Sequence, residues 1–298
     1  MENPQSILLK DGRLWLNHGP IDLFIEAQGH TREVELAYQT AIIKFENLLA
    51  QIVEELPQLR KPVGFGKMKW KHQISKKMEN ACLHFEDCFI TPMAAVAGSV
   101  ADTIIESMVE GSDLKKAYVN NGGDISIHLS PHAVFSAAIA ENSSSPDFTG
   151  SLQIDFNSPS RGIATSGWAG RSFSLGIADS VTVLAKNAAI ADAAATMIAN
   201  AVDVDHPAIC RKKAETLDPD SDLRGNLVTI AVGHLPFSTI NEALDRGIRT
   251  TQQFYRNGLI DAAFLSLQGQ RRIFAPEKTK RPYLNPNISK TSYSETCV

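Results

Sequence analysis

The chain has 298 residues, 43% of them hydrophobic and 21% charged, which suits a folded domain with a buried core and excludes disorder throughout. Twenty-nine basic against thirty-three acidic side chains give a formal charge of -4, so the broad positive field that nucleic-acid binding draws on is missing and no nucleic-acid partner is expected. Four cysteines, at 82, 88, 210 and 297, are too scattered for a disulfide framework and contain no C-x-x-C pair; they predict reduced thiols and a cytoplasmic protein.

Asp11, Arg13, Asp22 and Glu26 interrupt the apolar residues of the N-terminal region, so neither an export signal nor a membrane span is expected there. Leu14 and Leu16, then Ile21, Leu23 and Ile25, alternate as half-buried strands do and predict an opening hairpin. From Thr31 to Leu56 the apolar positions Val34, Tyr38, Ala41, Phe45, Leu48 and Ile52 recur at steps of three and four, the pattern of one long amphipathic helix closed by Pro57. Residues 60 to 79 carry Lys61, Lys67, Lys69, Lys71, Lys76 and Lys77 around Trp70 and His72; a solvated loop is expected, with an anion site as the alternative. Pro92 opens a helix to about Val109, whose small residues Ala94, Ala95, Ala97, Gly98, Ser99 and Ala101 let a backbone or a ligand approach closely.

Strands return from Ala117 to Ala140, with Asn121-Gly122 as the turn between Tyr118-Val119 and Ile125-Ile127. Asn142 to Asp147 is expected to be a loop, and Ser151–Phe156 and Ser180–Ala185 to be strands. An alanine-rich helix follows at Ala188–Ala201, then strand, helix and strand at 227–232, 239–256 and 259–267. Hairpin links among helical ones favour α+β, with mixed or antiparallel sheets packed by helices, over a doubly wound parallel sheet. The organisation expected is one domain over residues 1–275, with room for two lobes, and a mobile tail at 276–298.

Three segments can carry chemistry. Asn120-Asn121-Gly122-Gly123-Asp124 is either a plain hairpin turn or a glycine-opened loop whose amides meet a ligand. Thr165, Ser166 and Gly167 offer hydroxyls and open backbone to phosphate or carbonyl oxygens, although a polar strand end explains them equally well. Asp192 and Thr196, four apart on a helix, share one face and supply two hard oxygens, which suits magnesium; the alternative is an acid favouring a helix start and a threonine that packs. A weaker case is Cys82, His84 and Cys88, which would share a face if their segment were a strand, leaving three soft ligands for zinc.

Taken in order, these segments resemble the ApbE superfamily. Val119-Asn120-Asn121-Gly122-Gly123-Asp124 is similar to its Val-Asn-x-Gly-Gly-Asp signature, Ala164-Thr165-Ser166-Gly167 to its Ala-Thr-Ser-Gly, and Ser180-Val181-Thr182-Val183 with Ala191 to Thr196 to its Ser-Val-Thr-Val and Ala-Asp-Ala-x-Ala-Thr pair. Gly98 to Asp102 can be laid on its Lys-Gly-x-x-x-Asp helix, and the likeness covers roughly residues 90 to 202. The resemblance implies an ApbE-like α+β fold and magnesium-dependent transfer of FMN from FAD onto a threonine or serine of an acceptor protein. It would make Asp192 and Thr196 metal ligands, joined by a backbone carbonyl near Ala94 to Val96. Asn120, Gly122, Gly123, Asp124, Thr165, Ser166 and Gly167 would line the flavin nucleotide.

Two departures accompany the likeness. Ala97 stands where the family has lysine, and the His-x-x-Asp-Pro segment that the family carries after Ala-Thr-Ser-Gly is missing. The combination resembles the shorter, cytosolic, uncharacterised branch of ApbE-like proteins, which has been linked to homocysteine formation and sulfur assimilation. Two expectations therefore stand: a magnesium-dependent flavin or nucleotide transferase, and a ligand-binding or accessory protein of sulfur-amino-acid metabolism without transfer.

Overall fold

The computed structural model describes residues 3–64, 68–142 and 145–275, with side chains described outside 139–150. The expected tail at 276–298 and residues 143 and 144 of the expected Asn142–Asp147 loop lie outside the described residues; Asn142 and Ser145 on either side close two paired strands. Three strands open the chain, β1 (Gln5–Leu8), β2 (Leu14–His18) and β3 (Ile21–Gly29), and the predicted alternation holds: Leu14, Leu16, Ile21, Leu23 and Ile25 all point into the core.

Helices α1 (Thr31–Glu46) and α2 (Leu48–Leu59) replace the single long helix expected over this stretch. The chain turns at Asn47, with φ -106° and ψ -1° between the two helices, while Pro57 sits inside α2 instead of ending it. Periodicity misses the break because Phe45, Leu48, Leu49 and Ile52 are buried on both sides of it, so the apolar stripe runs on through the corner. The basic stretch is likewise corrected: α3 (Gln73–Cys82) forms within it and buries Ile74, Ser75, Met78, Ala81 and Cys82. Its lysines lie on the outer face and mask the stripe. The buried Glu55 carboxylate accepts from the Lys71 and His72 amides at 2.7 and 3.2 Å, just ahead of the helix.

A 3-10 turn at Pro92–Ala95 leads into α4 (Val96–Val109), as the proline and small residues predicted. Then come β4 (Leu114–Asn121), β5 (Asp124–Leu129), β6 (Val134–Asn142), β7 (Ser145–Asp155), β8 (Gly162–Ser166), β9 (Ser180–Ala185) and α5 (Ala188–Ala201). A short pair, β10 (Ile209–Lys213) and β11 (Leu227–Val232), flanks the single turn α6 (Ala214–Leu217); the chain continues through α7 (Phe237–Arg256), β12 (Ala262–Leu267) and β13 (Gln270–Phe274).

Nine strands form one sheet in the order β1-β2-β3-β4-β5-β8-β9-β12-β13, antiparallel at every pairing, with helices against it, so the fold class is α+β. Helices α1, α2 and α4 cover the first half and bury Leu16, Leu23, Ile25, Phe45 and Ile104 against it. Helices α5 and α7 cover the second half over Val181, Val183, Ala263 and Leu265. On the opposite face the β6–β7 hairpin packs Phe135, Leu152 and Ile154 onto Ile127, Ile163 and Phe264. Each such fully buried aliphatic side chain contributes about 1.5–3 kcal/mol. The halves meet where β5 pairs with β8 through Ile125 opposite Ile163 and Ser126 opposite Gly162, and the starts of α4 and α5 lie over that seam.

Candidate functional site

At the seam two helices hold each other's first turns. Asp102 of α4 accepts from the Ala188 and Ala189 amides that begin α5, at 3.0 and 2.9 Å, and from Ser126 Oγ of β5 at 2.6 Å. In return Asp192 Oδ2 of α5 accepts from the Gly98 amide in the first turn of α4 at 3.0 Å. Each carboxylate therefore sits at the positive end of the other helix and satisfies amides that have no partner within their own. The approach requires glycine at 98, because a Cβ there would lie 2.2 Å from the Ala188 carbonyl oxygen. It also requires glycine at 162, where a Cβ would lie 2.0 Å from the Asn187 carbonyl carbon.

The Gly122-Gly123 turn closes over this junction. Both residues have positive φ, 64° and 110°, between Asn121 and Asp124, which pair across the hairpin. Asn120 Oδ1 accepts from the Gly123 amide at 2.8 Å, and Asn121 Nδ2 donates to the Ala97 carbonyl at 3.1 Å, tying the turn to α4. Asp124 is buried, with Oδ1 accepting from the Thr165 amide at 3.2 Å, and loss of hydration pushes its carboxyl up to about 7. Burial, and then the charge of Asp124, push the Asp192 carboxyl well above the ordinary range despite the opposing amides of Gly98 and Ala97. The charge of Asp124 acts on Asp192, and the neighbours that offset these shifts are backbone amides, those of Gly98 and Ala97 for Asp192 and that of Thr165 for Asp124.

Of the sequence candidates, the turn, Thr165 and Asp192 meet at the junction, whereas Thr196 lines a separate small cavity. Asn120, Gly122, Gly123 and Asp124 form the turn; Thr165 bonds Asp124 through its amide and meets Thr182 through hydroxyls 2.9 Å apart. Ser166 ends β8 half-buried, and Gly167 permits a close pass, since a Cβ there would lie 2.2 Å from the Asp179 carbonyl oxygen. Thr196, one turn beyond Asp192, opens on a cavity of about 30 Å3 shared with Thr91, Ala94, Asn200 and Asp222, room for roughly a single water. Thr91 Oγ1 donates to Asp222 across that cavity. Asp222 carries no sequence signal, as it comes from an irregular loop. Arg171 is a second residue that pattern reading does not assign: its Nη1 lies 3.4 Å from where a Gly122 Cβ would be, placing a guanidinium beside the turn.

The zinc alternative is corrected. Cys82 closes α3 and Leu83–Phe85 form a 3-10 turn, so the segment is not a strand and its residues do not share a face. Cys82 is buried with Sγ donating to the Thr91 carbonyl at 3.2 Å, whereas Cys88 is exposed. Among the described residues no three His, Cys, Asp or Glu side chains converge to hold a metal, and Cys82, Cys88 and Cys210 are free thiols. Burial, followed by the charges of Asp192, Asp222 and Glu79, raises the Cys82 thiol well above its ordinary value, which leaves it an inert core group.

The sequence model of a family described as AbpE bacteria matches residues 6–273. The chain belongs to that family. This AbpE-family chain is 40% identical over 156 residues to a UPF0280 protein of Methanococcus maripaludis strain C6, a match covering 49% of this chain and 62% of the relative. It is 31% identical over 160 residues to a UPF0280 protein of Methanopyrus kandleri, covering 54% and 61%. The chain thus spans between about half and six-tenths of the length of the curated relatives it matches. Among solved structures it is similar to the ApbE protein of Thermotoga maritima, at a TM-score of 0.49 and 13% identity over 92% of this chain and 97% of that one. It is also similar to a mutant of the flavin transferase ApbE from Vibrio cholerae, at 0.46 and 12% over 93% and 98%. Likenesses of that degree add no weight to the family match. No helix among the described residues is long and apolar enough to cross a membrane.

The donor set at the AbpE-family junction fits a hard divalent cation. Asp192 and Thr196 carry oxygens one helical turn apart on α5, Ala94 lines the Thr196 cavity, and Asp124 and Asp192 supply the carboxylates that such an ion neutralises.

Proposed function

We propose that this protein binds a flavin nucleotide of the FAD kind through its pyrophosphate, with magnesium held by Asp192, Thr196 and a backbone carbonyl of the Ala94–Val96 turn. The reading rests on one observation above the others: two carboxylates meet the junction through backbone amides, Asp192 accepting from Gly98 at the start of α4 and Asp124, beside the Gly122-Gly123 turn, accepting from Thr165. When bound, magnesium neutralises charge on the pyrophosphate and so assists its cleavage. Asp192 is oriented for this by the Gly98 amide, and Asp124 by the Thr165 amide. The glycines at 122 and 123 place no side chain over the turn, Thr165, Ser166 and Gly167 line the nucleotide, and Arg171 supplies positive charge at the rim. The acceptor in a complete transfer would be a protein hydroxyl.

Ala97 supports a second reading in which the ligand is held and FMN transfer is slow or absent. Its methyl group carries no charge where the family's lysine would act, and its carbonyl is already engaged by Asn121. On that reading the protein is a ligand-binding or accessory component of sulfur-amino-acid metabolism. Calorimetry with FAD separates the outcomes: tighter binding with magnesium than without, and loss of that difference in Asp192→Ala, support the cation-dependent site. No FAD binding in either condition overturns the flavin reading. Mass spectrometry of compounds co-purifying with the wild type identifies the nucleotide.

A further inference from the structure

A cleft of about 660 Å3, in the range of small-molecule sites, opens between the end of α1, the outer face of α3, α4 and the connection from β9 to α5. It shares no lining residue with the cavity at Thr196 and none with the Gly122-Gly123 turn. Lys44 in the last turn of α1, Lys76 of α3 and Lys186 ahead of α5 reach it from three elements, and none has a carboxylate partner among the described residues. Lys77, also in the lining, differs in being paired with Glu106 at 2.5 Å. Lys186 lies close enough to act on the His84 imidazole, which lines the same cleft. Four lysines against Glu106 and Glu110 reverse locally the sign of a chain whose formal charge is -4. The helix start is not the source of this field, because the first α5 amides are already taken by Asp102 and by Asn187, whose side chain accepts from Ile190.

We infer that this cleft is a second site, which binds a small, multiply charged phosphate compound of the pyrophosphate or bisphosphate kind. Lysine engages phosphate as a point charge with rotatable donors, and three ammonium groups on separate elements surround more than one anionic centre. Like charges held together repel, and a bound polyanion removes that repulsion. Asn80 and Asn187 add neutral donors for the bridging oxygens. Glu106 and Glu110 in the lining oppose a long phosphodiester chain, which limits the ligand to a small molecule. The anion site, which the basic stretch allowed only as the alternative to a solvated loop, thus acquires a location once α3 forms.

The test is calorimetry of the full chain with sodium pyrophosphate in EDTA at low salt, so that the cation site is silent. Saturable binding is expected, weakened at least about tenfold in the variant carrying Lys44→Gln, Lys76→Gln and Lys186→Gln. Inorganic phosphate should bind at least about tenfold more weakly than pyrophosphate, and the His84 resonances should move during the pyrophosphate titration. The inference is overturned by the absence of saturable binding up to ~10 mM, by wild-type affinity in the lysine variant, or by equal affinity for the two anions. A thermal melt checks that the triple variant is folded; should it unfold, Lys186→Glu carries the same test with the same outcomes.

Discussion

At the scale of single residues, Gly98 and Asp124 have the most to decide. A methyl group at 98 would press on backbone, with Ala188 O at 2.2 Å and Ala189 N at 2.8 Å, so no side-chain rotation relieves it. Gly98→Ala should therefore lose about 3 kcal/mol in urea unfolding, near the upper end for overpacking, and should blunt any magnesium response by displacing the amide that holds Asp192. An unchanged midpoint would mean that α4 and α5 move apart freely. For Asp124 the sign follows from the proton count. Burial raises its carboxyl from the ordinary 3.8 to about 7 in the folded state, so between those values the unfolded chain has released a proton that the folded chain retains. Stability then falls as pH rises from about 4 to 7. In EDTA, the wild type should lose stability relative to Asp124→Asn across that window, and magnesium should restore more of it at pH 8 than at pH 5; parallel pH profiles for the two proteins would refute the assignment.

At the scale of elements, the mutual capping of α4 and α5 is the joint on which the site is built. Asp102→Ala would strand Ser126 Oγ and the Ala188 and Ala189 amides in a buried position, and a loss of about 3 kcal/mol is expected. Asp102→Asn keeps an acceptor oxygen and should lose about 1 kcal/mol, so equal melting temperatures for the two variants would count against capping. The limits of α5 were legible because the alanine run has high propensity, and the structure adds that Asn187 caps its start by accepting from the Ile190 amide. The corner at Asn47 was not, since an apolar stripe continues through it, and α3 was hidden because six lysines in residues 60–79 outweigh its buried residues in any local count.

For the molecule as a whole, the seam between the two halves of the sheet is the place where ligand binding should be felt. It is narrow, two register pairs between β5 and β8, and the turn, β8 and both helix starts converge on it. Magnesium with FAD should slow amide hydrogen exchange at Ala97, Gly98, Gly123 and Thr165 while leaving the edge strands β1 and β13 unchanged. Slowing spread evenly over the sheet, or confined to the cleft of Lys44, Lys76 and Lys186, would place the nucleotide elsewhere.

What the amino-acid sequence determined alone is what depends on near neighbours. Alternation over two residues built β2 and β3, Asn-Gly chemistry built the β4–β5 turn, Pro92 marked a helix start and the alanine run marked α5, because these preferences act within a few bonds. The motifs also carried the family, whose model matches residues 6–273. The reason Asp102 is a cap, the influence of Asp124 on Asp192, the bond from Gly98 to Asp192 across 94 positions, and the gathering of Lys44, Lys76 and Lys186 at one cleft were decided only by the tertiary structure. Proximity between distant residues is set by how helices pack on the sheet, and burial, which shifts the carboxyls and leaves the cations facing a cavity, exists only after that packing has removed the water.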